Sequence, residues 1–362
     1  MGVKLAKPIN YRSVANIVAS DFENIMNSLK VHKNFAVAVS GGPDSLALVF
    51  LSKKYAEENS LKLTAISIDH SLRSNSRYEI KWIEKLMKKN KIRFVSLKLK
   101  EKKPNANIMA YAREKRYDLL TNYCKRSKIS CLLTAHHLDD EIENFLMRLI
   151  RGSGLKGLSS TRPTYKHKRS GIQITRPLLG YSKKSLVKYL YLRKQNYIVD
   201  PTNKDKRFDR SRIRELTSKL ISEGLSKTRF ANVIQNLKKA ESAIQGSLSE
   251  NAKRLVRLRN KKDLVINIKD FVQVPEEIQF RLIVRITEYV SNKKQKPRAK
   301  SILNLMQKIV KRDFKRMTVH SCLFTKEKED IIVSFEQGRA KKTKKKRQFV
   351  GFTKKDISNL FI

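Results

Sequence analysis

The amino-acid sequence predicts an α/β architecture: a parallel sheet with helices on both faces, then a helical domain and a small C-terminal α+β module. Three observations carry this. Short, wholly apolar runs alternate with helix-like stretches through residues 31–155, the rhythm of strands buried on both faces. Polar and glycine-rich clusters follow those runs directly, where open parallel sheets bind their ligands. Beyond residue 212 the apolar residues recur at helical spacing on strongly basic faces.

The first run, FAVAV at 35–39, ends at Ser40-Gly41-Gly42, and Pro43 opens a helical pattern. Proline suits the first helical turn, where its missing N–H has no partner to lose. A second run at 63–68 ends at Asp69-His70 and leads into a helix over 76–90. The third, IRFVSLKL at 92–99, precedes a long helix near 106–127, and the fourth, 130–135, a helix over 138–150. Residues 152–181 are rich in Gly, Ser and Lys, with a strand expected at 172–175 and a helix at 182–195. The stretch 212–259 reads as helical throughout, and 264–268 as a short strand. Helices at 275–291 and 298–312 precede a hairpin over 318–335, and a solvated basic run fills 341–347. The expected divisions are an N-terminal helical extension (1–30), a catalytic α/β domain (31–211), a helical domain (212–312) and a small C-terminal module (313–362).

Lys and Arg number 80 against 33 Asp and Glu, a formal net charge of +47 over 362 residues. Self-repulsion on that scale works against a compact state, and a polyanion relieves it, so nucleic acid is the expected partner. The excess of lysine over arginine also fits AT-rich coding, the bland alternative. A hydrophobic content of 40% excludes wholesale disorder. No run approaches the ~18 apolar residues of a membrane span. The first residues lack the apolar core of a secretory signal, and Ala6 stands where myristoylation needs Ser or Thr. Cys124, Cys131 and Cys322 make no CxxC or zinc spacing. The expected setting is a reducing cytoplasm without membrane contact, and the oligomeric state stays open, a homodimer being one candidate.

SGGPDS after the first strand is the strongest chemical signal. Two glycines let the backbone turn sharply and approach a ligand, while loop amides and a helix N-terminus face a phosphate. Ser40 and Ser45 add hydroxyls, and Asp44 can hold Mg²⁺. No lysine completes a kinase-type P-loop, and there is no G-x-G-x-x-G. At the fourth strand end, Thr134-Ala135-His136-His137-Leu138-Asp139-Asp140-Glu141-Ile142-Glu143 gathers two His and four carboxylates. HExxH spacing is absent, which disfavours zinc. Asp140 and Glu143 share a helix face suited to Mg²⁺, although capping of the helix explains acidic residues there too. Ile68 and Asp69 end the second strand, where backbone or carboxylate suits a nucleobase or ribose, and capping of the next helix explains the aspartate equally well. Arg113 and Arg116 lie one turn apart and can clamp phosphates, with a solvated basic face as the alternative. Arg151 opens a glycine-rich basic loop, and Arg210, Arg212 and Arg214 near a helix start read as phosphate-backbone contacts, with a solvated basic face as the alternative.

The loop resembles the PP-loop of the N-type ATP pyrophosphatase superfamily, whose adenine nucleotide alpha hydrolase-like fold cleaves ATP between the α and β phosphates. The ordered set SGGPDS, DHSLR, AREKRYDLL, TAHHLDDEIENFLMRLIRGSGLKGL, RPLL and DPTNKDKRFDRSRIR, spanning 35–214, is similar to one family within it, tRNA(Ile)-lysidine synthetase. The resemblance implies a carbon–nitrogen ligase that adenylates the C2 oxygen of the wobble cytidine in a CAU-anticodon tRNA(Ile). The ε-amine of free L-lysine then displaces AMP, giving lysidine. It implies further that Ser40, Gly41, Gly42, Pro43, Asp44, Ser45 and Ile68 hold ATP and that Asp44 and Asp140 organise Mg²⁺. Arg113, Arg116 and His136 would stabilise developing charge, and Arg151, Arg212 and Arg214 would approach substrate. Past Arg214 the resemblance weakens, and the family's GDR-like C-terminal signature is absent. The nearest rival is a PP-loop tRNA thiolation enzyme, which needs catalytic or cluster-holding cysteines. A non-enzymatic RNA-binding protein would not need the carboxylates.

Overall fold

A computed structural model describes residues 19–69, 76–98, 108–199, 209–259, 263–293 and 295–336. The chain divides into two compact units, Met1–Leu237 and Lys238–Ile362. The break falls inside a long helix, whereas the sequence suggested boundaries at 211/212 and 312/313.

In the first unit, β1 (Phe35–Ala38) pairs in parallel with β2 (Leu63–Asp69) and β4 (Cys131–Leu133). The sheet extends to β3 (Arg93–Lys98) on one side and to β6 (Gln173–Thr175) and β5 (Thr164–Lys166) on the other, in the order β3-β2-β1-β4-β6-β5. Every pairing is parallel except β5 with β6. Strand residues alternate between two cores, as a period of two requires. Phe35, Val37, Ala65 and Leu133 join one apolar cluster with α1 (Ala19–Ser28), α2 (Pro43–Glu58), α3 (Ser76–Lys89) and α7 (Lys183–Leu192). Ala36, Ile66, Leu132 and Ile174 join another with Tyr117, Leu120 and Cys124 of α4 (Ile108–Arg126). α2 is buried almost continuously from Ser45 to Ser52, which is why its sequence reads apolar on all sides rather than amphipathic. Pro43 stands in its first turn, as expected.

α5 (Leu138–Ile150) follows β4 and packs through Leu138, Ile142, Phe145 and Leu146 onto Ile213 of α8 (Asp209–Ser222) and onto Phe230 and Ile234 of α9 (Lys227–Leu255). A single turn, α6 (Leu155–Leu158), lies in the glycine-rich stretch after α5. β5 was not anticipated: three residues on a basic edge give too short a pattern to read.

The second unit holds an antiparallel sheet, β7 (Val256–Arg259), β8 (Asp263–Asn267), β11 (Asp330–Phe335), β10 (Cys322–Glu327) and β9 (Arg316–Val319), in that order. α10 (Ile268–Val272), α11 (Glu276–Ser291) and α12 (Ala299–Val310) share its core through residues such as Phe271, Leu282, Ile286, Leu305 and Phe324. The expected hairpin is thus three strands. Residues 256–259 are strand rather than helix, because Val-Arg-Leu-Arg alternates apolar and basic and leaves both arginines exposed. Arg281 is buried and bonded to Glu241 and Glu277, so its charge is compensated on two sides.

Candidate active site

The ends of β1, β2 and β4 and the helices after them enclose a cavity of about 510 Å³. β1 delivers the chain to Ser40, and Gly41 turns it with φ +79°, a conformation that favours glycine. The Gly41 carbonyl accepts the Ile198 N–H at 2.8 Å. Ser45 closes the loop from inside: its hydroxyl donates to the Gly42 carbonyl at 3.0 Å and accepts the Ser40 N–H at 3.2 Å. The loop is therefore shaped by its own side chains, and Ser40, Gly42, Asp44 and Ser45 line the cavity.

α4 supplies Arg113, Arg116, Tyr117 and Leu120 to the same cavity, one stripe at helical spacing. Both guanidinium carbons stand over the Tyr117 ring, 5.5 and 5.6 Å from its centroid. α3 adds Glu79 and Ile80, and β2 adds Ser67 and Ile68. From the β4–α5 corner come Thr134, His136 and Asp140, with the Thr134 hydroxyl 3.1 Å from His136 Nδ1.

The acidic cluster divides. Asp140 faces the cavity and accepts the His137 N–H at 3.1 Å. Asp139 accepts the Lys183 N–H at 2.8 Å and bonds the Lys227 ammonium, tying α5 to α7 and α9. Burial would raise its pKa, but the lysine contacts prevail and hold it below the usual carboxylate value. Glu143 is buried and bonded at 2.6 Å to Arg214 Nε, so it serves the α5–α8 contact and does not line the cavity. Burial opposes the Arg214 charge, yet Glu143, Asp140 and Asp44 raise its pKa.

Of the residues expected from sequence, the cavity brings together Ser40, Gly42, Asp44, Ser45, Ile68, Arg113, Arg116, His136 and Asp140. Gly41 and Pro43 shape the loop behind it. Arg151, Arg212 and Arg214 do not line it: Arg151 caps the C-terminus of α5, Arg212 is exposed on α8, and Arg214 is held by Glu143. The segments around His70–Arg73, 200–208 and 341–347 lie outside the described residues. Sequence reading missed Lys183, whose ammonium is 3.8 Å from Asp44, and His137. His137 is buried, with Nε2 3.5 Å from Asp44 and 3.6 Å from Asp140. Burial would lower its pKa, but Asp44, Asp140 and Asp139 raise it above the usual histidine value. The histidine doublet was the available signal, but spacing alone does not say which ring turns inward.

A family model described as a PP-loop domain matches residues 14–220. A tRNA(Ile)-lysidine synthase from Wolbachia pipientis wMel is 33% identical over 323 residues, covering 88% of this chain and 74% of its own. One from Bradyrhizobium diazoefficiens is 35% identical over 278 residues, 74% of this chain and 76% of its own. This chain belongs to the tRNA(Ile)-lysidine synthase family. Among solved structures, the U34-tRNA thiolase from Methanococcus maripaludis, determined with its 4Fe-4S cluster, superposes with a TM-score of 0.52. Identity there is 20%, over 61% of this chain and 79% of that one, a likeness of fold. The cysteines of this lysidine synthase family member do not suit sulfur chemistry. All three are buried, and burial pushes the thiols of Cys124, Cys131 and Cys322 up to about 12, 11 and 12. Among the described residues no helix is long and apolar enough to cross a membrane.

Proposed function

We propose that this chain uses ATP to activate the wobble cytidine of a CAU-anticodon tRNA(Ile) and joins free L-lysine to it, forming a carbon–nitrogen bond. The cytidine O2 attacks the α-phosphorus, the α–β bridge breaks and pyrophosphate leaves. The lysine ε-amine then attacks C2, loses a proton, and AMP departs with the former O2. The observation that carries this reading is one cavity holding the SGGPDS loop, the Asp44 and Asp140 carboxylates and the Arg113–Arg116 pair, in a chain of this family.

Mg²⁺ suits the donors present. Asp44 Oδ1 is buried without a hydrogen-bond partner, and both Asp44 and Asp140 face the cavity, which matches the ion's habit of taking one or two carboxylates plus phosphate oxygens and water. When bound, the ion would neutralise phosphate charge. The chain's own groups do the rest. The loop amides of Gly41 and Gly42 and those of Asp44 and Ser45 at the N-terminus of α2 orient the triphosphate. Arg113 and Arg116 meet negative charge growing on the α-phosphate. His136, steadied by Thr134, meets the cytidine carbonyl as it becomes an adenylate. Ile68 and Ser67, which line the cavity, would border the adenine base.

The basic helices from 212 to 312 and the C-terminal module would grip tRNA, a reading supported by their charge and by the net +47 of the whole chain. The test uses purified protein, unmodified tRNA(Ile), Mg·ATP and labelled lysine. Label on tRNA that survives mild alkali, with stoichiometric AMP and pyrophosphate, supports ligation at the base. Alkali-labile label, or ATP cleavage with no lysine transfer, overturns it.

A further inference from the structure

His137 lies behind the cavity wall rather than on it. Its ring nitrogen Nε2 faces Asp44 Oδ2 at 3.5 Å and Asp140 Oδ2 at 3.6 Å, while Nδ1 is 3.8 Å from Asp139. Asp44 belongs to the first turn of α2 and Asp140 to the first turn of α5, so a single nitrogen links two strand-to-helix corners that are 96 residues apart in sequence, from 44 to 140. The backbone of the same residue holds Asp140 a second time, through its N–H at 3.1 Å. Only 4% of the His137 surface is exposed, so the ring is packed among these groups and not in solvent. Both carboxylates are addressed through Oδ2, and Asp44 Oδ1 is left without a hydrogen-bond partner.

We infer that His137 is a positioning residue, which sets the separation and orientation of the Asp44 and Asp140 carboxylates for a divalent cation bound with the triphosphate. The inference rests on reading Asp44 and Asp140 as the cation's carboxylates. A ring seated against one oxygen of each aspartate would leave the other oxygens for a shared ligand, the arrangement by which outer partners hold metal-binding groups in place. The neighbouring His136 differs in kind: it lines the cavity, with its Nδ1 3.1 Å from the Thr134 hydroxyl.

The test compares the full-length protein with His137→Asn and His137→Gln. Asparagine retains N-cap character for α5 but reaches only as far as Nδ1, whereas glutamine carries its amide nitrogen out toward the Nε2 position. Mn²⁺ is the probe. Its binding is followed by loss of the free-ion electron paramagnetic resonance signal, with an ATP analogue that resists α–β cleavage, alongside metal-free analogue binding and thermal unfolding. The expected result is Mn²⁺ affinity reduced on the order of 10- to 100-fold in His137→Asn and largely restored in His137→Gln, the span typical of outer-partner substitutions. Metal-free analogue binding and the unfolding midpoint should move little between the two variants. Equal Mn²⁺ affinity in wild type and both variants, or loss in proportion to lost thermal stability, overturns the positioning role. A wild-type protein that binds the analogue but no Mn²⁺ defeats the carboxylate reading itself, a distinct outcome.

Discussion

Gly41→Ala concentrates two separable costs in one methyl group. The residue sits at φ +79°, where a side chain costs ~1–2 kcal/mol. A Cβ there would also lie 2.5 Å from Ile198 Cδ1 and 3.2 Å from both Ile198 Cγ1 and Ile83 Cδ1. Ile198 is only 5% exposed and packed in the core, so relief by rotation is limited, and overpacking of this kind costs ~1–3 kcal/mol. The expected loss is therefore about 2–5 kcal/mol. Ile198→Ala alone should cost ~2–5 kcal/mol through its cavity. In the double variant the new methyl enters that space, so the two losses should fall short of their sum by at least ~1 kcal/mol, with the φ penalty remaining. Trp82, the single tryptophan, packs on the same core from α3, so its fluorescence during urea unfolding reports this unit specifically. Gly41→Ala within about 0.5 kcal/mol of wild type, or additive losses, would refute the steric account.

The other expected outcomes are as follows. At Gly42, φ is −71° and a Cβ meets nothing nearer than Ser40 Oγ at 3.7 Å, so Gly42→Ala should leave Trp82 unfolding unchanged. Gly42 lines the cavity where the loop would meet phosphate, so affinity for an ATP analogue measured by calorimetry should fall at least about tenfold, ~1.4 kcal/mol. Arg214→Met strands the buried Glu143 carboxylate; with Arg214 itself 40% exposed the cost should be about 2 kcal/mol, and adding Glu143→Gln should recover most of it in urea titrations. Asp139 has a folded pKa below the ordinary 3.8, so it contributes stability above that value which is lost as pH falls through the lower folded one. Asp139→Asn should therefore lower stability at neutral pH and flatten the dependence on acid below pH ~4 when midpoints are compared.

The central strands and the cavity were legible because β1, β2 and β4 each announce themselves twice, by an apolar run and by the polar cluster that ends it. Phe35 to Val39 followed by SGGPDS leaves few alternatives, and Pro43 marks the helix start. β5 and β7 were not legible for a different reason: Thr164–Lys166 is too short for a period, and the strand Val256–Arg259 directly follows a 29-residue helix whose pattern masks the change. Within the site, residue type identified the carboxylates but not their division of labour. Asp139, Asp140 and Glu143 look equivalent in sequence. They separate only through partners that are distant along the chain, Lys183 and Lys227 for the first and Arg214 for the last. His137 was overlooked for the same reason: its role depends on Asp44, contributed by another βα unit.

The most direct test of the central claim follows the oxygen at C2. A tRNA(Ile) whose wobble cytidine carries heavy oxygen at O2 is incubated with the protein, Mg·ATP and lysine, and the nucleotide products are analysed by mass. The account predicts that the heavy oxygen appears in the phosphate of AMP, in step with lysine joined to the base, and never in pyrophosphate. Heavy oxygen retained in the lysine-bearing tRNA, or AMP released without it, would show that the cavity activates some other atom.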